Sequence, residues 1–217
     1  MNRFEYARPA TLAEAVAAGV MPGAAYLAAG TNLMDLMKGG VMRPGQLVDI
    51  SRLPGLNRIE ALDDGGVRIG ALVRNADLAY DKDFAGRFPA VAEALLSGAS
   101  AQLRNAATAG GNLLQRTRCS YFRNEALPCN KRATGSGCGA RDGENRQSAL
   151  FGASTACVAT HSSDLAAALA ALDAEIEILG IAGTRRVTLA GLYRLPGEAP
   201  QHDTTLPPGA VITAVEL

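Results

Sequence analysis

The sequence predicts an α+β fold in which a small βαβ lobe precedes a larger mixed α/β lobe. Strands and helices alternate through residues 1–55, hairpin patterns frame the remainder, and no G-x-G-x-x-G turn of the Rossmann type is present. The 217 residues are enough for one large domain or two small ones around a real core. We therefore place the larger lobe at residues 56–212.

The small lobe has the pattern β-α-β-α-β. A short strand near Phe4–Tyr6 leads to Thr11, a good N-cap residue with Glu14 three positions on as its capping-box partner, and the helix ends at Gly19. The stretches AAYLAAG and GQLVDIS indicate strands, and TNLMDLMKGG between them indicates a helix closed by glycines. This alternation predicts a small parallel sheet.

The larger lobe begins with LNRIEAL and GVRIGAL, a predicted hairpin, followed by helical stretches at NADLAY and FPAVAEALL. Ser163 is expected to cap the helix DLAAALAALDA, and Leu165, Leu169 and Leu172 fall on one helical face. AEIEILG and TRRVTL predict a second hairpin, and AVITAVEL a final strand. No stop signal follows that strand, so further chain is expected after it.

Composition excludes several classes of function. Lys plus Arg and Asp plus Glu both number 21, so no net charge favours nucleic acid or an anionic membrane surface. No apolar stretch approaches the roughly 18 residues of a membrane span, and the N-terminal stretch lacks the pattern of a signal peptide. No Ser/His/Asp or paired-carboxylate set is evident, so we assign no catalytic residue. A soluble protein is expected.

The stretch LAAGTNLMDLMK is the first candidate binding motif. A strand runs into residues 29–32, which open a helix, and exposed N–H groups at such a turn suit an anion. The alternative is a plain β-α turn with Thr31 as the N-cap, because the spacing matches neither the dinucleotide nor the Walker pattern.

The stretch LRNAATAGGNL is the second candidate motif. It offers a backbone with little side-chain bulk, flanked by the polar side chains of Thr108 and Asn112. The alternative is a glycine-rich turn where two elements cross closely. Two such stretches in one chain favour a pyrophosphate held from two sides.

All four cysteines, Cys119, Cys129, Cys138 and Cys157, fall in one segment, mostly within an irregular, glycine-bearing, basic loop at residues 118–148. Their spacing lacks the paired C-x2-4-C knuckles of zinc ribbons and the C-x-x-C of thioredoxins. Two disulfides or a 4Fe–4S cluster both suit this arrangement.

LAAGTNLMDLMK, LRNAATAGGNL and HSSDLAAALAALDAEIEILG together resemble the FAD-binding (medium) subunit of the xanthine dehydrogenase and carbon monoxide dehydrogenase family, from Phe4 to the last residue. The resemblance implies a PCMH/VAO-like fold, and FAD whose pyrophosphate lies against both glycine motifs. Because members of that family continue with a further C-terminal domain, it also implies that residues 213–217 are the first strand of a missing C-terminal domain. Asp164 matches a Ser-Asp position that contacts the ribose–flavin side in that family. The implied cofactor-binding residues are Ala28, Ala29, Gly30, Thr31, Asn32, Leu33, Thr108, Ala109, Gly110, Gly111, Asn112 and Asp164.

The cysteine segment is similar to a four-cysteine insertion in periplasmic-type molybdenum aldehyde oxidoreductases. This similarity implies that Cys119, Cys129, Cys138 and Cys157 bind a 4Fe–4S cluster in a loop at about 116–160. It also implies a large molybdopterin-binding subunit and a small 2Fe–2S subunit as partners. Electrons would pass from the iron–sulfur clusters through FAD to an external acceptor. Location would be periplasmic by co-export with a partner, or cytoplasmic.

Two other functions remain open from the sequence. The chain is compatible with a stand-alone flavin oxidoreductase that takes electrons from a nicotinamide. It is also compatible with a non-catalytic scaffold whose loop holds a structural zinc or disulfides.

Overall fold

The computed structural model describes residues 1–217 and contains two sheets. The first sheet is parallel, with the strand order β1-β3-β2. In chain order its elements are β1 (Glu5–Ala7), α1 (Leu12–Gly19), β2 (Ala24–Leu27), α2 (Leu33–Lys38) and β3 (Gln46–Asp49). The predicted alternation of strands and helices is confirmed. The Thr11 hydroxyl accepts the Glu14 N–H at 3.2 Å, as expected of an N-cap.

The second sheet is antiparallel and has five strands in the order β4-β5-β8-β6-β7. They are β4 (Ile59–Ala61), β5 (Val67–Gly70), β6 (Glu175–Gly180), β7 (Gly183–Thr188) and β8 (Val211–Glu216). Pairing of β4 with β5 and of β6 with β7 confirms both predicted hairpins.

Helices and an irregular loop connect β5 to β6. The helices of this lobe are α3 (Asn75–Tyr80), α4 (Lys82–Arg87), α5 (Pro89–Ser97), α6 (Ala101–Arg104), α7 (Ala109–Leu113), α8 (Ser120–Arg123), α9 (Gly139–Asp142), α10 (Asp164–Ala170) and α11 (Leu189–Leu192). Residues of α3, α5 and α10 join the inner face of the five-stranded sheet in one buried cluster, which includes Ile69, Leu169 and Ile176. No helix is both long and apolar enough to cross a membrane.

The last strand of the chain, β8, is an inner strand of the five-stranded sheet. This strand lies between β5 and β6, and all residues from Val211 to Glu216 are buried. Leu217 exchanges two backbone hydrogen bonds with Val67, at 2.8 and 3.0 Å. The apolar run therefore reflects a strand covered on both faces.

The end of α10 also differs from the sequence prediction. Leu165 and Leu169 are buried in the core, but the helix ends at Ala170 and Leu172 is 41% exposed. Since Asp173 then adopts a positive φ of 52°, the chain has left the helical path and Leu172 no longer shares the buried face.

Candidate functional site

The two glycine motifs, which lie far apart in the sequence, meet in one cleft. The first motif contributes Ala28 to Leu33, and the second contributes Thr108, Gly110 and Gly111. The cleft has a volume of about 270 Å³, and residues of β2, of β8 and of the segments that follow α2, β3, β5 and α7 also line it. Most of the lining residues are hydrophobic, so the few polar groups there decide what the cleft can bind.

The loop of residues 28–33, between β2 and α2, carries unused backbone donors. None of its N–H groups donates a hydrogen bond within the protein, and the next N–H, that of Met34, donates to the Gly30 carbonyl at 3.0 Å. Gly30 has a φ of 76°, and a Cβ there would lie 2.8 Å from Met34 Cγ, so the turn requires glycine. The alternative of a plain turn capped by Thr31 is not observed, because Asn32 occupies the N-cap position and makes no capping bond. These donors are free for an anion.

The second motif differs because the backbone N–H groups of its two glycines are already occupied. Gly110 and Gly111 lie in the first turn of α7, not in an open turn. The Gly110 N–H donates to the Ala71 carbonyl at 2.9 Å, and the Gly111 N–H donates to Thr108 Oγ1 at 3.3 Å. The Ala109 N–H likewise donates to a backbone carbonyl at 2.9 Å. Its two glycines therefore present surface, not backbone donors, to the cleft, whereas the N–H of the lining residue Thr108 donates no hydrogen bond within the protein.

The two glycines of α7 serve different purposes. A Cβ on Gly110 would lie 2.9 Å from the Ala71 Cβ, so Gly110 permits α7 to cross the end of β5 closely. Gly111 is exposed, and a Cβ there would come within 4 Å of one atom, Thr108 Oγ1. The bare surface that faces the cleft is therefore that of Gly111.

Three of the residues expected to bind the cofactor do not line the cleft. Ala109 is buried beneath it. Asn112 Oδ1 accepts hydrogen bonds at 2.8 Å from the Ser163 hydroxyl and from the Gln115 amide, which join α7 to α10. Asp164 is an exposed residue in the first turn of α10. Asn112 therefore stabilises the wall of the cleft from behind, whereas Asp164 does not line the cleft.

Arg116 lines the cleft and was missed by the sequence analysis. It is the one charged residue among the lining residues. Its backbone N–H donates to Asn32 Oδ1 at 2.9 Å, which links the two motifs. The Asn32 Nδ2 atom is buried and has no hydrogen-bond partner. The available signal was a cation shortly after a glycine motif, in the same segment as the cysteines.

The four cysteines are all free thiols. Cys129 and Cys157 are buried, Cys119 and Cys138 are half-buried, and a backbone β-bridge joins Cys129 to Cys138. Burial raises the pKa of the Cys157 thiol, the neighbouring Cys138 and Cys129 raise it further, and Lys131 opposes them. Three thiols thus lie within electrostatic reach of one another. No group of three or more His, Cys, Asp or Glu side chains is arranged to hold a metal ion as the loop stands.

Two arginines stabilise the cysteine loop. The Arg132 guanidinium donates to the carbonyls of Tyr121 and Phe122, both at 2.7 Å, and so holds the end of α8. Arg123 pairs with Asp35 of α2 at 2.5 Å, which ties the loop to the small lobe. These contacts give the loop a defined shape without a long helix or strand.

Comparisons with known proteins agree with this geometry. The family profile described as "FAD binding domain in molybdopterin dehydrogenase" matches residues 2–217. The chain is 52% identical over 219 residues to the aldehyde oxidoreductase FAD-binding subunit PaoB of Escherichia coli (strain K12), covering 100% of this chain and 69% of that protein.

Two solved structures have a similar fold. Carbon monoxide dehydrogenase from Hydrogenophaga pseudoflava superposes with a TM-score of 0.70 at 26% identity, over 100% of this chain and 59% of that one. Quinoline 2-oxidoreductase from Pseudomonas putida 86 gives the same TM-score and coverage at 23% identity, a likeness of fold alone. The chain thus spans somewhat more than half the length of these solved chains.

Proposed function

The chain belongs to the family of FAD-binding domains in molybdopterin dehydrogenases, and on this premise we propose that its cleft binds FAD for electron transfer within a molybdenum-containing aldehyde- or xanthine-type oxidoreductase. One observation carries the proposal: the loop at 28–33, with its unused N–H donors, faces the bare Gly111 surface across a single cleft. A pyrophosphate needs this combination of donors and close approach.

The residues of the cleft fit FAD. The N–H groups of residues 28–33 would bind the pyrophosphate oxygens, and the buried, unpartnered Nδ2 of Asn32 would gain an acceptor. The hydrophobic lining would exclude water from the remainder of the ligand. Bound FAD supplies the redox chemistry, and the protein supplies binding, orientation and electrostatics.

The absorption spectrum of the purified chain tests the proposal. Absorption bands at about 370 and 450 nm would support FAD binding, since such bands are a property of the flavin cofactor. A folded chain that neither contains FAD nor binds it when it is added in excess would refute the proposal and favour the scaffold function. Steady-state oxidation of NAD(P)H by the isolated chain would instead support a stand-alone flavin oxidoreductase.

We further propose that Cys119, Cys129, Cys138 and Cys157 bind one 4Fe–4S cluster. Four thiolates are the usual ligand set of such a cluster, and this segment holds four free thiols, three of them within electrostatic reach of one another. The chemistry of these donors fits, but the loop would have to draw the thiols closer together to bind all four corners.

Replacement of each cysteine tests the cluster. Cys129→Ser, or the same change at any of the other three positions, is expected to abolish bound iron and sulfide after anaerobic purification, while FAD content stays near that of the unchanged chain. The flavin content of each preparation serves as its own control for folding. Two native disulfides and no iron in the unchanged chain, or one zinc per chain, would contradict the cluster.

The partners proposed are a large molybdopterin-binding subunit and a small 2Fe–2S subunit, with an external electron acceptor. The similar protein from Escherichia coli is itself described as an FAD-binding subunit, which supports membership of a complex. Co-expression with the two subunits should yield a stable complex, and in it an aldehyde or purine should reduce the FAD. A chain that is monodisperse alone and whose FAD is reduced directly by aldehyde would contradict this assembly.

A further inference from the structure

We propose that Arg116 supplies the positive charge that binds the phosphates of the ligand in the cleft, and that Asp203 positions its guanidinium. The inference rests on the proposed function, because it assumes that the ligand is FAD. It adds a residue that lies in neither glycine motif and names a residue outside the cleft that acts through it.

The electrostatics of the cleft support a role for Arg116 in binding phosphate. No other lining residue carries a charge, so the negative charge of a pyrophosphate would otherwise face only neutral groups. The Arg116 Nη2 atom is buried and has no hydrogen-bond partner, and the same is true of Asn32 Nδ2. Buried donors without acceptors are costly and uncommon in folded proteins. Two such atoms, one on each of two residues that meet in one cleft, therefore point to an acceptor-rich ligand.

The contacts of Arg116 hold its side chain in one place. The guanidinium carbon lies 4.9 Å from the centre of the Phe122 ring, and the side chain is 21% exposed. Its Nε is in ion contact with Asp203 Oδ2, which leaves Nη2 as the buried guanidinium nitrogen without a partner. A planar, oriented guanidinium is well suited to phosphate oxygens.

Asp203 contacts two cations, Arg116 and Lys131, so the three side chains together carry one net positive charge. The other oxygen of its carboxylate contacts Lys131 Nζ, and the Lys131 side chain is 8% exposed. Two cations therefore share one anion. Burial is the main cause that lowers the pKa of His161, outweighing the opposing effect of Asp203, so this imidazole adds no charge at neutral pH. The surplus is available to a phosphate, and Asp203 restrains Arg116 without neutralising the pair.

Flavin binding by the full chain tests the role of Arg116. Affinities for FAD and for riboflavin, which lacks phosphate, would be measured by fluorescence titration for the unchanged chain, Arg116→Gln and Arg58→Gln. Arg58 is an exposed arginine outside the cleft, so its replacement makes the same charge change elsewhere. We expect Arg116→Gln to weaken FAD binding by about 10- to 100-fold and to reduce its salt dependence, with riboflavin affinity unchanged. We expect Arg58→Gln to match the unchanged chain.

The outcomes separate this inference from the proposed function. If the unchanged chain binds no FAD, the proposed function fails. If it binds FAD and Arg116→Gln binds it equally well, or loses FAD and riboflavin affinity alike, the inference fails alone. Asp203→Asn should weaken FAD binding less than Arg116→Gln, and the double variant should resemble Arg116→Gln. Additive losses in the double variant would refute the positioning role of Asp203.

Discussion

Replacement of Gly111 by valine separates the contribution of this residue to FAD binding from its contribution to stability. A Cβ at Gly111 would lie 2.9 Å from Thr108 Oγ1, the oxygen that caps α7 by accepting the Gly111 N–H. The hydroxyl must shift, and loss of the cap costs about 1 kcal/mol of unfolding free energy. The methyl groups would occupy the surface on which we propose that the pyrophosphate binds, a clash of about 1–3 kcal/mol. FAD affinity should therefore fall by about 5- to 150-fold.

The chain contains a matched control for this experiment in α11. Thr188 caps that helix by accepting the Gly191 N–H at 3.1 Å, and a Cβ at Gly191 would lie 3.2 Å from Thr188 Oγ1. Gly191 is exposed like Gly111 but lies outside the cleft. Gly191→Val should lose at most a similar amount of stability in urea and keep full FAD affinity in a fluorescence titration.

Two results would refute this reasoning. One is a folded Gly111→Val chain that retains stoichiometric FAD through purification, and the other is an equal loss of FAD from Gly191→Val. Gly30→Val is a weaker test, because the positive φ of Gly30 and its contact with Met34 mean that a side chain there would distort the loop itself.

The remaining predictions concern stability. Leu169→Ala should lower the free energy of unfolding in denaturant by about 2–5 kcal/mol, because Leu169 is 1% exposed. Leu172→Ala should lower it by less than about 1 kcal/mol, and equal losses would contradict the observed end of α10. Burial raises the pKa of Asp49, but hydrogen bonds, that of Ser51 first, outweigh burial and lower the pKa from 3.8 to about 2. Ionised Asp49 should thus contribute about 2 kcal/mol above pH 4, and this contribution should be lost as the pH falls towards 2. Asp49→Asn should lack this part of the pH dependence in acid unfolding.

Local patterns predicted the secondary structure better than they predicted the site. Thr11 and Ser163 cap helices as expected, because a cap depends on residues within one turn. Whether the N–H groups of a glycine motif are free depends on distant partners. The donors at 109 and 110 are occupied by carbonyls of Val73 and Ala71, which no pattern near the motif identifies.

The same distinction applies to the side chains. Asn112 was selected as a polar residue of the glycine motif and Asp164 through a family resemblance, and the orientation of both depends on how α7 meets α10. Arg116 acquires its place in the cleft through contacts with Asn32 and Asp203, both more than 80 residues away. Binding residues fixed by tertiary contacts are recognised only when the two lobes are seen together.

The central position of β8 has a consequence for the order of folding during synthesis. The first 49 residues contain every strand of the parallel sheet, so that sheet can close early on the ribosome. The five-stranded sheet cannot, because β5 and β6 both pair with a strand that begins at Val211. Until that strand emerges, the inner edges of both hairpins remain open, and open edges favour pairing with other chains. The larger lobe should therefore depend more on slow elongation or chaperones than the small lobe does.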